Sequence, residues 1–149
     1  RAIEVMTVSG KSIREHEAES LREPCPYHVI ELGLRYHDRE TLYGRINRRV
    51  DKMVEMGLTE EVKAAREQGL TATAAQAIGC KELYSWLDGK ETQEEALEKL
   101  KQNTRRYAKR QLTWFGTDQR MRWIEPDTLA AGETPLDKAM EILEKEGMA

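Results

Sequence analysis

Several features that identify common classes of protein are scarce or missing in this 149-residue sequence. It has only two cysteines, Cys25 and Cys80, which are too few for a disulfide framework or a cysteine-ligated metal site. The three histidines show no metal-ligand spacing. No apolar run approaches the roughly 20 residues that a membrane span requires. We therefore expect a protein of a reducing, cytosolic setting with no membrane segment and no metal site of its own.

The motifs of several self-contained active sites are also missing. The sequence contains no GxxxxGK[ST] phosphate loop, no GxGxxG, no nucleophile elbow and no HExxH. Neighbouring carboxylates such as Glu94 and Glu95 lie at the start of a predicted helix, where they complement its dipole. We therefore expect no catalytic residue within these 149 residues.

Acidic residues are absent from one long stretch, although the chain as a whole is slightly acidic, with a formal net charge of −3. Between Glu98 and Asp118 the chain carries only basic charges, which lead into Trp114 and Phe115. The basic residues are Lys99, Lys101, Arg105, Arg106, Lys109 and Arg110. Basic side chains neutralise phosphates, and flat rings stack on unpaired bases. The stretch predicts a local nucleic-acid-binding patch, and the alternative is a solvated helix face whose last turn is apolar.

Capping signals and periodicity predict a mainly α-helical protein. Capping boxes of Ser12 with Glu15 and of Thr92 with Glu95 each begin a helix. The predicted helices cover residues 1–9, a short segment after 12, 38–57, 59–69, the segment closed by Gly89, 93–115 and 135–146. A break is predicted at 23–26. Residues 28–36 alternate with period two and predict one long strand, which must join a sheet because it cannot satisfy its own backbone. Residues 120–124 are a possible short strand.

The long helix at 93–115 offers three neighbouring stripes of side chains at helical spacing. These stripes are Arg105, Lys109 and Leu112, then Arg106, Arg110 and Thr113, then Tyr107, Gln111 and Trp114. Arg106 and Arg110 could grip phosphates while Gln111 or Thr113 bonds a base edge. For each aromatic residue taken singly, a place in the core is the better prediction.

Two smaller groups are further candidates. Arg45 and Arg49 lie one helical turn apart and could clamp a diphosphate, but they could equally pair with acidic neighbours on the surface. Those neighbours are Glu40, Asp51 and Glu55. Gly79 lies inside a helical pattern, two residues before Lys81. It is either a point where another backbone or a nucleotide approaches closely, or a helix start that needs loose backbone geometry.

Taken together, these segments resemble the C-terminal half of the tRNA dimethylallyltransferase (tRNA isopentenyltransferase) family. The resemblance extends from Arg1 to about Ile124 and follows the order of the family's segments. The matching residues are Arg1–Val5, Ser9–Lys11, Leu42–Ile46, Arg49–Val50, Gly57–Leu58, Glu61–Val62, Gln76–Gly79, Lys81–Glu82, Thr104–Arg105 and Tyr107–Phe115.

The resemblance implies an enzyme that transfers a dimethylallyl group from its diphosphate to N6 of the adenosine next to the anticodon. The base must leave the stack of the loop, and Mg²⁺ assists the departure of diphosphate. The implied fold is a P-loop α/β core of the ATP-binding type, with a helical insertion. Residues 28–36 would belong to the sheet of this core. In the family the phosphate loop, the catalytic Asp and Thr and most of the Mg²⁺ site lie in the N-terminal half. We therefore expect this chain to be a piece of a longer protein and inactive alone.

The resemblance also assigns residues to the anticodon stem-loop of tRNA. The implied tRNA contacts are Arg1, Gln76, Ala77, Ile78, Gly79, Cys80, Lys81, Lys109, Arg110, Gln111, Leu112, Thr113, Trp114, Phe115 and Gly116. Arg45 or Arg49 matches an arginine that reaches the diphosphate. Cys80 and Gly116 depart from the family, which usually has a Tyr and a basic residue there. The implied domain covers 1–125, followed by a linker and helix at 126–149, in a cytoplasmic monomer.

Two other functions are also compatible with the sequence. One is a non-catalytic helical RNA-binding module that uses the same basic stretch. The other is a helical protein–protein module, in which the charges serve only solvation. A longer gene product with GxxxxGK[ST] upstream would favour the enzyme, whereas an in-frame start near Arg1 would favour the RNA-binding module.

Overall fold

The computed structural model describes residues 1–22, 26–69, 71 and 74–147. The chain divides into two units, Arg1–Ile30 and Glu31–Ala149, and each is described by itself. The break predicted at 23–26 lies mostly outside the described residues, which resume at Pro26. The division of the chain near residue 125 that the resemblance implies stays a prediction.

The first unit contains the two short helices that the capping signals predicted. Helix α1 (Ala2–Ser9) ends at Gly10, whose φ of +72° is the left-handed conformation that glycine adopts without strain. Helix α2 (Ile13–Ser20) begins with the predicted capping box, in which the Ser12 amide donates to Glu15 Oε2 at 2.7 Å. Neither helix buries a residue within this unit.

The second unit contains a two-stranded parallel sheet. Strand β1 (Glu31–Leu34) pairs with β2 (Met121–Ile124), with Glu31 opposite Met121 and Leu34 opposite Ile124. The long strand predicted at 28–36 is therefore too long, because β2 offers a ladder over only four positions. The short strand predicted near 120–124 is confirmed.

Charged side chains hold the ends of the sheet together. Arg120 contacts Asp118 at 2.7 Å and Glu31 at 3.0 Å, and hydrogen bonds from Arg120 lower the pKa of Asp118 to about 2. At the other end, Asp127 accepts the backbone N–H groups of His37 and Asp38 at 2.9 and 2.8 Å. The sheet is thus fixed to the loop that begins the first long helix.

Among its described residues, the second unit also contains five α-helices. They are α3 (Arg39–Glu55), α4 (Leu58–Gln68), α5 (Cys80–Leu87), α6 (Gln93–Phe115) and α7 (Pro135–Lys145), with a 3₁₀ turn at Ala74–Gln76. Their order and caps follow the prediction, with one correction. Helix α4 begins after Gly57, which has a φ of +99°, so Thr59 lies inside the helix and is buried instead of starting it.

The core of this unit lies where α4, α5 and α6 meet. Val62, Leu83 and Ala96 form one buried cluster, and Leu83 has no exposed surface. Helix α3 packs against α6 and buries Ile46 and Val50. These contacts fix α6 against its neighbours, and α6 carries most of the predicted site.

Helix α7 lies beside the sheet. It begins with Pro135 after the capping residue Thr134, and it packs against β2. Arg122 of β2 contacts Glu146 at 3.2 Å. Within the described ranges, no helix is long and apolar enough to cross a membrane.

Candidate nucleic-acid interface

Helix α6 supplies the largest set of candidate residues. Thr92 and Glu95 cap its start reciprocally, with N···O distances of 2.8 and 3.2 Å. The two residues that the helix buries, Ala96 and Leu100, both lie in its first half. The second half therefore keeps most of its side chains at the surface.

Three of the six basic residues in the stretch are engaged by other parts of the protein. Lys99 pairs with Glu91, and Lys101 contacts Asp51 of α3 at 2.7 Å. The hydrogen bond to Asp51 raises the pKa of Lys101 above its ordinary value. Arg105 donates to Asn47 Oδ1 at 2.6 Å and its guanidinium carbon lies 5.8 Å from the centre of the Tyr43 ring. These three residues hold α6 in place and are not free to bind a ligand.

The other three cations form what we call the basic surface. It surrounds an open concavity of about 780 Å³ lined by Arg106, Lys109, Arg110, Thr113, Trp114 and Thr117. Arg106, Lys109 and Arg110 are exposed, and none of them pairs with a carboxylate of the described residues. Unpaired cations around a concave surface are suited to neutralising phosphates.

The aromatic residues of this region are exposed, so the prediction that each lies in the core is wrong. Trp114 is 77% exposed, and Tyr107 and Phe115 are each 45% exposed. The reason is that α6 buries residues only in its first half. An exposed indole next to three cations provides a flat surface on which an unpaired base can stack.

The predicted segment 109–116 is divided between two faces of α6. Lys109, Arg110 and Trp114 belong to the basic surface, whereas Gln111, Leu112 and Phe115 line a separate apolar pocket of about 330 Å³. Trp123 and residues of β1 complete this pocket. Each helical residue turns about 100°, so a continuous run cannot face one ligand.

Gly116 ends α6 with a right-handed φ of −67°. A Cβ at this position would lie 2.7 Å from the carbonyl oxygen of Leu112. The basic residue that the family resemblance implies at this position would therefore require the local backbone to shift.

The second predicted segment, 76–81, leads into α5. Gly79 precedes the helix with a φ of +105°, so it is a helix start with unusual geometry and not a glycine inside a helix. Ile78 and Lys81 are exposed, whereas Cys80 is half-buried against the core. Gln76 and Ala77 are also exposed.

Two residues that the sequence reasoning did not select connect this segment to α6. Glu82 Oε2 accepts the Gly79 N–H at 2.9 Å, and its Oε1 accepts Nδ2 of Asn103 at 2.7 Å. Asn103 Oδ1 in turn lies 3.5 Å from Nη1 of Arg106. The capping-box spacing of Gly79 and Glu82 could have indicated the first of these contacts.

The remaining predicted residues lie on other elements. Arg45 stacks over Tyr36 at 5.3 Å. Among the described residues, neither Arg45 nor Arg49 pairs with the acidic neighbours considered as alternatives, and Asp51 instead binds Lys101. Arg1 is exposed in the first unit. The roles of these arginines stay predictions.

Metal-binding side chains are not clustered in the described ranges. In the part of the chain that the structure describes, no three His, Cys, Asp or Glu side chains are grouped closely enough to hold an ion. The expectation of Mg²⁺ therefore concerns the longer protein and gains no support from these side chains.

The fold and the basic surface together define the class of protein. It is mainly helical, with a small parallel sheet and a candidate nucleic-acid interface on one helix. Comparison with known proteins then makes this assignment specific. The family model described as IPP transferase matches residues 1–118. The chain belongs to this family.

Individual relatives agree with the family. The chain is 46% identical over 126 residues to the tRNA dimethylallyltransferase of Halalkalibacterium halodurans, covering 84% of the chain and 40% of that protein. It is 50% identical to the tRNA dimethylallyltransferase of Bacillus velezensis over the same shares of the two chains. The crystal structure of tRNA delta(2)-isopentenylpyrophosphate transferase from Staphylococcus epidermidis superposes with a TM-score of 0.73 at 38% identity, covering 97% of this chain and 47% of that one. The chain thus spans less than half the length of these relatives.

Proposed function

We propose that this chain is the tRNA-binding portion of an enzyme that attaches a dimethylallyl group to tRNA. The names of its relatives support the reaction class. The observation that carries the RNA-binding role is the basic surface: three exposed cations with no carboxylate partner among the described residues, beside an indole that is 77% exposed.

The proposed binding mode divides the work among these side chains. Arg106, Lys109 and Arg110 neutralise backbone phosphates of the anticodon stem-loop, and Trp114 stacks on a base that has left the loop. Thr113, on the same surface, offers a hydroxyl to a base edge. The segment 76–81 contacts the RNA from the start of α5. Arg1 is a separate proposed tRNA contact.

The chemical step requires groups that these 149 residues do not include. Dimethylallyl diphosphate is the proposed donor and N6 of the adenosine next to the anticodon is the acceptor. A phosphate-binding loop with Mg²⁺ would neutralise the departing diphosphate, assisted by Arg45 or Arg49. We propose that the chain alone binds tRNA as a cytoplasmic monomer without transferring the prenyl group, and unaided transfer would contradict this part.

A pair of double variants tests the RNA-binding role. Arg106→Ala with Arg110→Ala removes two charges from the basic surface, and Lys99→Ala with Lys101→Ala removes two paired charges from the same helix. The probe is an anticodon stem-loop RNA from a tRNA that reads codons beginning with U, with affinity measured over a series of salt concentrations. The first variant is expected to reduce the slope of log affinity against log salt by about 2, or about 1 for each lost phosphate contact.

The second variant is the control for net charge and is expected to keep the wild-type slope. Equal losses in both variants would show that overall charge, and not the basic surface, determines binding. An unchanged affinity in the first variant would contradict the proposal and favour a protein–protein module.

A further inference from the structure

A continuous set of polar contacts joins the Gly79 turn to the basic surface, and Glu82 lies at its centre. The carboxylate of Glu82 accepts the Gly79 N–H at 2.9 Å with one oxygen and Nδ2 of Asn103 at 2.7 Å with the other. Asn103 is one turn before Arg106 on α6 and lies 3.5 Å from its guanidinium. The turn that begins α5 and the helix that carries the basic surface therefore meet at this carboxylate.

The burial of Glu82 is unusual for a carboxylate. The residue is 6% exposed, next to the fully buried Leu83, and it forms no ion pair with any described residue. Burying a charge without an opposite charge is costly unless hydrogen bonds compensate for the lost water. Here the compensation comes from the two N–H donors of Gly79 and Asn103, so the carboxylate constrains both of them.

The two oxygens of Glu82 determine which way the Asn103 amide points. Both accept hydrogen bonds from N–H donors, so Asn103 presents its NH₂ group to Glu82. The carbonyl oxygen of the same amide then faces Arg106, where it attracts the guanidinium over a long contact of 3.5 Å. Glu82 thereby orients an acceptor that restrains the first cation of the basic surface.

We propose that Glu82 is a positioning residue for RNA binding: it holds the Gly79 turn and, through Asn103, holds Arg106 in the arrangement that the RNA meets. The proposal rests on the RNA-binding function proposed above. Glu82 itself is buried and does not contact the RNA.

The isosteric variant Glu82→Gln tests this role in the 149-residue chain. Its amide oxygen still accepts the Gly79 N–H, but its NH₂ group now faces Asn103. Asn103 must reverse to offer its oxygen, and its NH₂ group then faces the cationic Arg106. We expect affinity for the anticodon stem-loop RNA to fall by about three- to tenfold, and by no more than in Arg106→Ala.

A second variant separates the positioning role from a general loss of stability. Asn103→Leu removes the amide that links Glu82 to Arg106, so Glu82→Gln then has no amide left to reverse. Glu82→Gln with Asn103→Leu is therefore expected to bind RNA within about twofold of Asn103→Leu alone, whereas independent losses of stability predict effects that add. Asn103→Leu also provides the test if Glu82→Gln alone fails to fold, because losing the amide should weaken RNA binding by a similar factor.

The outcomes separate this proposal from the one on which it rests. If Glu82→Gln binds RNA as the wild type does while Arg106→Ala with Arg110→Ala binds weakly, the positioning role is wrong and the RNA-binding function stands. If neither variant changes affinity, both proposals are wrong. Losses that simply add in the double variant of Glu82→Gln with Asn103→Leu also overturn the positioning role. A shift of the Asn103 side-chain amide signals in ¹⁵N NMR spectra of Glu82→Gln, without RNA, supports it independently.

Discussion

Both halves of α6 carry basic residues, but the two halves use them differently. In the first half, Lys99 and Lys101 are paired with Glu91 and Asp51, and Ala96 and Leu100 are buried. In the second half, no residue is buried, and Arg106, Lys109 and Arg110 surround an open concavity. The first half attaches the helix to the protein, and the second half is available to a partner.

This comparison shows why a count of basic residues in the sequence overestimates the number of cations that are available for binding. Of the six cations between Glu98 and Asp118, three are engaged by α3 or by the turn before α6. Arg105 is the clearest case, because it lies next to Arg106 in sequence but points to Asn47 of another helix. Changes in either half should therefore separate stability from RNA binding.

The largest expected effect is on stability, from Leu100→Ala in the first half. Leu100 is 2% exposed, and removing a fully buried leucine side chain should lower the free energy of unfolding by about 2–5 kcal/mol. Chemical denaturation followed by circular dichroism measures this change. The RNA affinity of the protein that remains folded should stay unchanged.

The matched control is Leu136→Ala on α7, where the same side chain is 67% exposed. It should change the free energy of unfolding by no more than about 0.5 kcal/mol. Equal losses at the two positions would show that the first half of α6 does not contribute to the core.

An intermediate effect, on binding and not on stability, is expected from Trp114→Ala in the second half. Losing one stacked base should weaken binding of the stem-loop RNA by about 1–3 kcal/mol. The free energy of unfolding should change by less than about 0.5 kcal/mol because the indole is mostly exposed. Fluorescence anisotropy of labelled RNA and chemical denaturation give the two quantities.

Trp114→Phe is the control for this change, since it keeps a flat ring. It should retain most of the RNA affinity. If the alanine and phenylalanine variants bind equally weakly, stacking is not the contribution of Trp114.

The smallest effect concerns the ion pair between Lys101 and Asp51. Its hydrogen bond raises the pKa of Lys101 above its ordinary value of 10.5, so the folded state binds this proton more tightly than the unfolded state. The resulting stability is fully present below pH 10.5 and is lost as the pH rises through the higher pKa of the folded protein. Near neutral pH, Lys101→Met should therefore lower the free energy of unfolding by at most about 1 kcal/mol.

The difference between the wild type and Lys101→Met should shrink as the pH is raised above 10.5. Denaturation curves of both proteins at a series of alkaline pH values measure this difference in the free energy of unfolding. Other groups that titrate at alkaline pH are present in both proteins, so their contributions cancel in the difference. A difference that grows with pH would contradict the assignment.

Local signals in the sequence were sufficient to predict most of the helices. The capping boxes at Ser12 and Thr92 and the proline at 135 begin helices where they were expected. Such signals work because a side chain that satisfies a free backbone N–H acts within three or four residues. The family resemblance was confirmed by the match over residues 1–118.

Other features depended on partners distant in sequence and could not be predicted in this way. The strand expected at 28–36 pairs only over Glu31–Leu34, because its length is set by β2, about 90 residues away. The prediction that Tyr107, Trp114 and Phe115 are buried was wrong. The spacing of apolar residues along a helix does not show at which residue the helix stops packing against the rest of the protein. The contact of Glu82 with Asn103 joins residues 21 positions apart.

The amino-acid sequence by itself determined where most of the helices begin and end, the excess of positive charge in α6, and the family to which the chain belongs. Only the tertiary structure decided which cations are neutralised, which aromatic rings are exposed, and how segment 76–81 is connected to the basic surface. The physical reason is range: caps and charge density act between neighbours along the chain, whereas pairing and burial depend on which helices and strands pack together.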